Sequence, residues 1–290
     1  MLEKKAYAKI NLGLDVIGRR QDGYHLVRMI MQSINLFDTL TFTERDDNKI
    51  IIETADPRIP TDEHNLIWKA AAQLKEHCNA HDRGVTIHLE KHIPMAAGMA
   101  GGSTDAAATY VALNELWNLC LSTDELCQLA VKKGADIPYC IKGGTALSEG
   151  IGEELTRLKD MPSCHIVIAK PPIDVSTAWA YTTLDASPIA DHPDIDGMVE
   201  AIENSNLTGI TQRLGNVLEP ITSGRYTIIE DIRQIMLANG ALGARMSGSG
   251  PTVFGIFENK DLSKAEQAVN EIRNRGIAPE LFITTPLISE

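Results

Sequence analysis

Along KKAYAKINLGLDVI, Ala6, Ala8, Ile10, Leu12 and Leu14 alternate with Tyr7, Lys9, Asn11 and Gly13, the period of two that predicts a β-strand. Lys9 and Asn11 therefore project from one face. The turn signal QDGYH follows, and LVRMIMQSINL, DTLTFTE and NKIIIETA then predict further strands in an antiparallel meander. From Asn65 to Asn79 the period changes, with Leu66, Ala70, Leu74 and Cys78 at helical intervals. The strand GVTIHLEK precedes a glycine-rich stretch that runs into a long Ala-rich helix, and a second helix is expected over Thr123 to Lys133.

Farther on, GADIPYCIKGGTALSEG reads as a short element and a strand between glycine turns, and CHIVIAK as a buried strand stopped by Pro171 and Pro172. ASPIADHPDIDG is Pro/Asp-rich and reads as a surface connection. Helices are expected near Asp194 to Glu203, Thr227 to Asn239 and Leu262 to Arg275, with strands in ARMSGSGPTVFGIFE and ELFITT. Early antiparallel strands followed by helix–strand units predict an α+β protein in two lobes. The boundary is expected between Gly150 and Lys170, giving lobes of residues 1–155 and 156–290.

The 290 residues carry 27 Lys+Arg against 39 Asp+Glu, a formal charge of −12 that leaves no general field for nucleic acid or an anionic membrane. A local basic pocket for a phosphorylated small molecule stays compatible with that balance. No apolar run approaches the roughly 18 residues of a membrane span, and MLEKKAYAKINLG lacks the apolar core of a signal peptide. A soluble cytoplasmic protein is expected. Cys78, Cys120, Cys127, Cys140 and Cys164 are odd in number and scattered, mostly among apolar residues, which predicts buried free thiols in a reducing compartment.

The strongest chemical signal is PMAAGMAGGST, Pro94 to Thr104. Gly98, Gly101 and Gly102 let backbone approach a ligand before a helix opens at Ser103, and a helix N-terminus with its N–H groups suits a di- or triphosphate. It is neither G-x-x-x-x-G-K-[ST] nor G-x-G-x-x-G. The structural alternative is a strand-to-helix turn capped by Ser103, with Asp105 complementing the helix dipole. GARMSGSGPTVFGIF supplies a second small-residue loop, read more readily as a plain turn between two strands. Lys9, inside a strand, and Asp136, between Ala135 and Ile137, stand in apolar settings. Asp136 is either a helix cap or a carboxylate in a cleft, and Lys9 either snorkels or pairs. An ammonium beside a carboxylate would provide a base next to a stabiliser of transferred phosphate. His77, His81, His88 and His92 lack the H-E-x-x-H pattern and read as surface residues.

In this order, AKINL, the R-x-D-G-Y-H turn, Asn65-Leu66, IPMAAGMAGGSTDAAA, GADIP and MSGSGPTVF resemble the GHMP-superfamily small-molecule kinases over nearly the whole chain. AKINL with DGYH resembles the branch acting on a cytidine-diphosphate-linked methylerythritol in the non-mevalonate isoprenoid route. The resemblance implies an N-terminal lobe with a glycine-rich ATP loop, a ferredoxin-like C-terminal lobe, and phosphorylation of a substrate hydroxyl by ATP with Mg²⁺. It implies that Lys9 and Asp136 are the catalytic pair and that Asn11, Tyr24, His25 and Tyr181 contact the substrate. By the same likeness, Asn65 lies near adenine, and Pro94, Met95, Ala96, Ala97, Gly98, Met99, Ala100, Gly101, Gly102, Ser103 and Thr104 form the ATP segment. Ser103, Thr104 and Asp105 remain open as metal ligands. Met95 and Met99 stand where the family more often has Val and Leu, and Thr104 where it has Ser, changes that bear on affinity more than on activity. The partner implied is a small molecule, with no nucleic acid or membrane. The alternatives are another kinase of the superfamily, for homoserine or mevalonate, or a nucleotide-binding sensor without transfer, against which the presence of both Lys9 and Asp136 speaks.

Overall fold

The alternating run at the start of the chain forms one strand, β1 (Leu2–Arg19), with Ala6, Ala8, Ile10, Leu12 and Leu14 all buried. The computed structural model describes residues 1–185, 189 and 191–288. β1 is followed by β2 (His25–Arg45), β3 (Ile50–Thr54), α1 (Leu66–His77), β4 (Gly84–Glu90), α2 (Gly101–Leu116), α3 (Thr123–Ala130) and α4 (Ile137–Lys142). Then come β5 (Thr145–Glu149), β6 (Glu154–Arg157), β7 (Cys164–Lys170), α5 (Thr177–Asp185), α6 (Ile195–Glu203), α7 (Leu207–Gln212), β8 (Gly215–Asn216) and α8 (Glu219–Arg225). The chain closes with α9 (Ile228–Ala238), β9 (Gly243–Met246), β10 (Val253–Glu258), α10 (Leu262–Asn274) and β11 (Glu280–Thr284).

Two compact units emerge. The first comprises Met1–Ala8, Leu36–Met95 and Ala100–Gly143; the second comprises Lys9–Asn35, Ala96–Met99 and Gly144–Glu290. In the first, β4 pairs antiparallel with β2 from Thr39 to Arg45 and parallel with β3. Its core joins Leu40, Phe42, Val85 and Ile87 of the sheet to Ala70, Leu74, Tyr110 and Leu113 of α1 and α2. The small residues Ala106, Ala107, Ala108 and Ala112 are all buried on α2, so this helix packs closely against its neighbours. Asn65 starts α1 by accepting the Ile67 N–H, and Ser122 and Glu125 form a reciprocal capping box on α3.

In the second unit β8 joins β1 in parallel, and β5 lies between β2 and β6. A separate antiparallel sheet has the order β11-β7-β10-β9. With α9 and α10 packed on it, the succession β7-α9-β9-β10-α10-β11 is the split βαβ arrangement expected of the C-terminal lobe.

Some expectations need correction. The runs LVRMIMQSINL and DTLTFTE are one continuous strand, because no turn residue interrupts them, and β3 pairs parallel, so there is no simple meander. Helices α5, α7 and α8 had no expectation; the last two are only 6 and 7 residues long, too short for a period to register. Of the cysteines only Cys164 is buried, and Cys120 is exposed; all five are free thiols. His77, His81, His88 and His92 are exposed, as expected. Of the Pro/Asp-rich connection, residues 186–188 and 190 lie outside the described residues.

Candidate active site

On the second unit the site begins with β1. Lys9 and Asn11 share a face, both buried, and the Lys9 ammonium donates to Asn11 Oδ1 at 2.6 Å. Asn11 is fixed in turn: its backbone N–H donates to Ser247 Oγ at 3.3 Å, and its amide lies 3.4 Å from Met29 Sδ. The glycine-rich segment is tied to the same strand, since Lys9 N–H donates to the Met99 carbonyl at 3.2 Å. Ser247 Oγ donates to the Gly98 carbonyl at 2.9 Å.

Left-handed backbone recurs at alternate positions of this segment: Ala96 at φ 50°, Gly98 at φ 68° and Ala100 at φ 58°. For an alanine that conformation costs about 1 kcal/mol or more, the kind of strain that concentrates at functional sites. Gly98 is required twice over, because a Cβ there would also lie 2.2 Å from the Ser247 carbonyl oxygen. Gly101 and Gly102 are not left-handed; they begin α2.

In the first unit, α2 starts one turn earlier than expected, with Ala100 rather than Ser103 in the N-cap position and no side-chain cap. The alanine side chain has no oxygen to accept the first N–H groups of a 16-residue helix, which leaves a partially positive end suited to phosphate. Gly102 is exposed and Ser103 half-buried there. Thr104 is buried and its hydroxyl donates to the Tyr7 carbonyl at 2.7 Å, so it anchors the helix to β1. Pro94 is buried, Met95 half-buried, Ala97 and Met99 buried. Asn65, expected near adenine, has both ends of its amide engaged: Oδ1 accepts from Ile67 at 2.9 Å and Nδ2 donates to the Pro60 carbonyl at 2.7 Å.

Asp136 occupies the N-cap position of α4 but makes no capping bond there. Position N2 is Pro138, which has no N–H to give, and the N–H of Tyr139 at N3 is not taken up by this carboxylate either, so no capping bond supports the cap reading. Lys9 belongs to the second unit and Asp136 to the first.

A third group gathers around the DGYH turn. His25 Nε2 lies 2.7 Å from Asp185 Oδ1, and Arg19 pairs with the other carboxylate oxygen at 2.9 Å. The hydrogen bond with His25, reinforced by Arg19, holds the Asp185 carboxyl below its ordinary pKa. Tyr181, on α5, places its ring 4.8 Å from the His25 ring at an interplanar angle of 34°. Tyr24 is 59 % exposed, its ring offered to solvent.

Several residues escaped the sequence reading. Ser247 lies in what reads as a plain turn, and that turn does join β9 to β10, yet its hydroxyl holds both Asn11 and Gly98. Asn216 donates to the Met246 and Gly248 carbonyls, both at 2.8 Å, and Glu219 accepts the Met246 N–H. Burial pushes the Glu219 pKa up, against the Met246 N–H and Arg245, which favour the charged form. A lone Asn and the first Glu of a short helix carry no sequence signal. In the first unit, Asp38, Lys91 and Asp105 form a buried chain of charges beside the start of α2.

The match to "GHMP kinases N terminal domain" spans residues 65–144, and that to "GHMP kinases C terminal" spans residues 194–278, together more than half of the chain. These matches define the chain as a GHMP kinase. A 4-diphosphocytidyl-2-C-methyl-D-erythritol kinase of Lachnospira eligens is 49 % identical over 97 % of this chain and 96 % of its own. A crystal structure of 4-(cytidine 5'-diphospho)-2C-methyl-D-erythritol kinase is similar at TM-score 0.81 and 30 % identity, covering 98 % of this chain and 99 % of that one. The chain belongs to the 4-diphosphocytidyl-2-C-methyl-D-erythritol kinases. Homoserine kinase from Cytophaga hutchinsonii, at TM-score 0.77 and 18 % identity over 99 % of this chain and 95 % of that one, shares the fold alone.

Proposed function

We propose that this protein transfers the γ-phosphoryl group of ATP to the 2-hydroxyl of 4-diphosphocytidyl-2-C-methyl-D-erythritol. The observation that carries the reading is the uncapped start of α2 behind a segment with left-handed residues at 96, 98 and 100. Such an end binds phosphate oxygens through backbone N–H groups. Identity to a kinase of this name along nearly the whole chain supports the cytidine-bearing substrate.

In this mechanism the ATP segment runs from Pro94 to Thr104, Asp136 accepts the proton of the attacking hydroxyl, and Lys9, held by Asn11, neutralises charge developing on the transferred group. Transfer is in line and direct. Positioning contributes most, since phosphoryl transfer asks little covalent chemistry of the protein. Asn11 orients the hydroxyl-bearing part of the substrate, while Tyr24, His25 and Tyr181 receive the cytosine. Asn65 lies near adenine, where its fixed amide keeps α1 in place.

Among the residues open as metal ligands, Thr104 and Asp105 are buried while Ser103 is only half-buried at the helix start, which favours Ser103. That donor set fits a Mg²⁺ ion held chiefly by the phosphates of ATP, with Ser103 as its protein ligand. Bound so, the ion would screen phosphate charge. Within the described residues no helix is long and apolar enough to cross a membrane, and a cytoplasmic location fits both that and a phosphorylated small-molecule substrate.

Phosphorus NMR of a reaction with ATP and the cytidine diphosphate alcohol tests the reading. It predicts ADP together with one new monophosphate ester on the 2-hydroxyl; an ester at another position, or release of inorganic phosphate alone, would contradict it.

A further inference from the structure

Asp38 is a buried aspartate in the middle of β2, with no exposed surface. Its Oδ1 accepts the backbone N–H groups of His92 at 2.6 Å and Ile93 at 2.8 Å, and its Oδ2 accepts from the Lys91 ammonium. The same ammonium donates to Asp105 Oδ2 at 2.7 Å, one turn inside α2. It also lies against the first residue of that helix: a Cβ on Gly101 would be 3.0 Å from Lys91 Nζ and 3.3 Å from Ile93 Cγ2. One hydrogen-bonded chain of ionisable side chains thus grips the backbone just before Pro94 and the helix just after Ala100.

Burying ionisable side chains together is a poor route to stability, because well-packed apolar side chains of the same volume usually do as well or better. What such a cluster supplies is register. Asp38 receives three donors in fixed directions, and Lys91 has one position that satisfies both carboxylates. We propose that Asp38, Lys91 and Asp105 are positioning residues for phosphoryl transfer, fixing the start of α2 relative to the approach through His92 and Ile93 so that the helix N–H groups meet the phosphates of ATP. The inference rests on the assignment of Pro94 to Thr104 as the ATP segment. Asp105 Oδ1, buried with no hydrogen-bond partner among the described residues, shows that the cluster is not arranged to satisfy all of its own atoms.

The test uses the full-length enzyme. Lys91→Met keeps the length of the side chain and removes its charge; Asp38→Asn is the second variant. An asparagine can turn its one oxygen toward the backbone N–H groups or toward the ammonium, so one side of the grip is lost either way. For each variant, affinity for a non-transferable ATP analogue is measured by calorimetry, beside KM for both substrates and the melting temperature. The expected result is a loss of about tenfold or more in analogue affinity and a matching rise in KM for ATP, with KM for the cytidine alcohol within about twofold and partial recovery in Lys91→Arg. A lower melting temperature with unchanged affinity in the folded fraction would overturn the proposal and leave the cluster a structural feature. If Lys91→Met does not fold, Asp38→Asn decides by the same criteria. Gly102→Val serves as the arm for the underlying assignment, since a Cβ there meets only Leu66 Cδ1 at 3.7 Å. Loss of analogue binding in Gly102→Val but not in the cluster variants overturns the positioning role alone; retention in Gly102→Val overturns the ATP-segment assignment and the positioning role with it.

Discussion

Lys9 and Asn11 stand two residues apart on one face of β1, and the ammonium of the first donates to the amide oxygen of the second at 2.6 Å. Asn11 is itself held by Ser247 Oγ. The proposed phosphate-neutralising cation is therefore aimed by a neighbour whose own orientation comes from the loop between β9 and β10.

Asn11→Ala removes that support without opening a large cavity. Turnover should fall by about 10- to 100-fold, because a charge misplaced by about an ångström loses much of its value in the transition state. ATP affinity should change little. Steady-state kinetics with calorimetric ATP titration checks this; unchanged turnover would mean that Lys9 needs no guide.

The base assignment predicts that Asp136→Asn lowers turnover by a factor of about 10² or more while ATP still binds, since the loss falls in the transition state. Rapid-quench measurement of the transfer step decides, and near-normal transfer would remove Asp136 from the chemistry.

Tyr24 exposes its ring, and Tyr181 packs beside His25. Stacking of cytosine on these rings predicts that Tyr24→Ala and Tyr181→Ala each weaken binding of the cytidine substrate by about 1–3 kcal/mol, with ATP affinity unaffected. Tyr24→Phe should be tolerated, as it keeps the ring. Equal losses for Phe and Ala at position 24 would point to the hydroxyl instead.

Asp105 links charge to stability. Burial pushes its pKa up to about 8; Lys91 opposes the shift and Asp38 adds to it. Burial alone would lower the Lys91 pKa, but the two carboxylates outweigh it and raise the value. An acid whose folded pKa exceeds its unfolded one favours the folded state in its protonated form. That contribution is complete below about pH 4 and is lost as pH rises through about 8. Asp105→Asn cannot ionise, so its melting temperature should gain on that of the parent as pH is raised from about 5 to about 9. Parallel pH profiles would place the Asp105 titration outside this window.

Much of the architecture was legible because single elements carry strong local patterns. Period-two alternation marked β1, and helical spacing marked α1. The segment Pro94 to Thr104 was readable from its glycines, but which glycine does what was not. Gly98 answers to a carbonyl in a loop about 150 residues later in the chain and Gly101 to an ammonium from before the segment, while the left-handed positions fall partly on Ala96 and Ala100. Asp38 and Lys91 look like ordinary strand and surface residues in sequence. Their partners are set by tertiary packing, and no spacing rule connects positions 38, 91 and 105.

The most direct measurement of the central claim is kcat/KM for 4-diphosphocytidyl-2-C-methyl-D-erythritol, homoserine and mevalonate under identical ATP and Mg²⁺. The account predicts a value for the cytidine substrate at least about 10³-fold above the other two, the scale of two lost base-stacking contacts compounded with misplacement of the hydroxyl. Comparable values for all three, or a preference for homoserine or mevalonate, would contradict it.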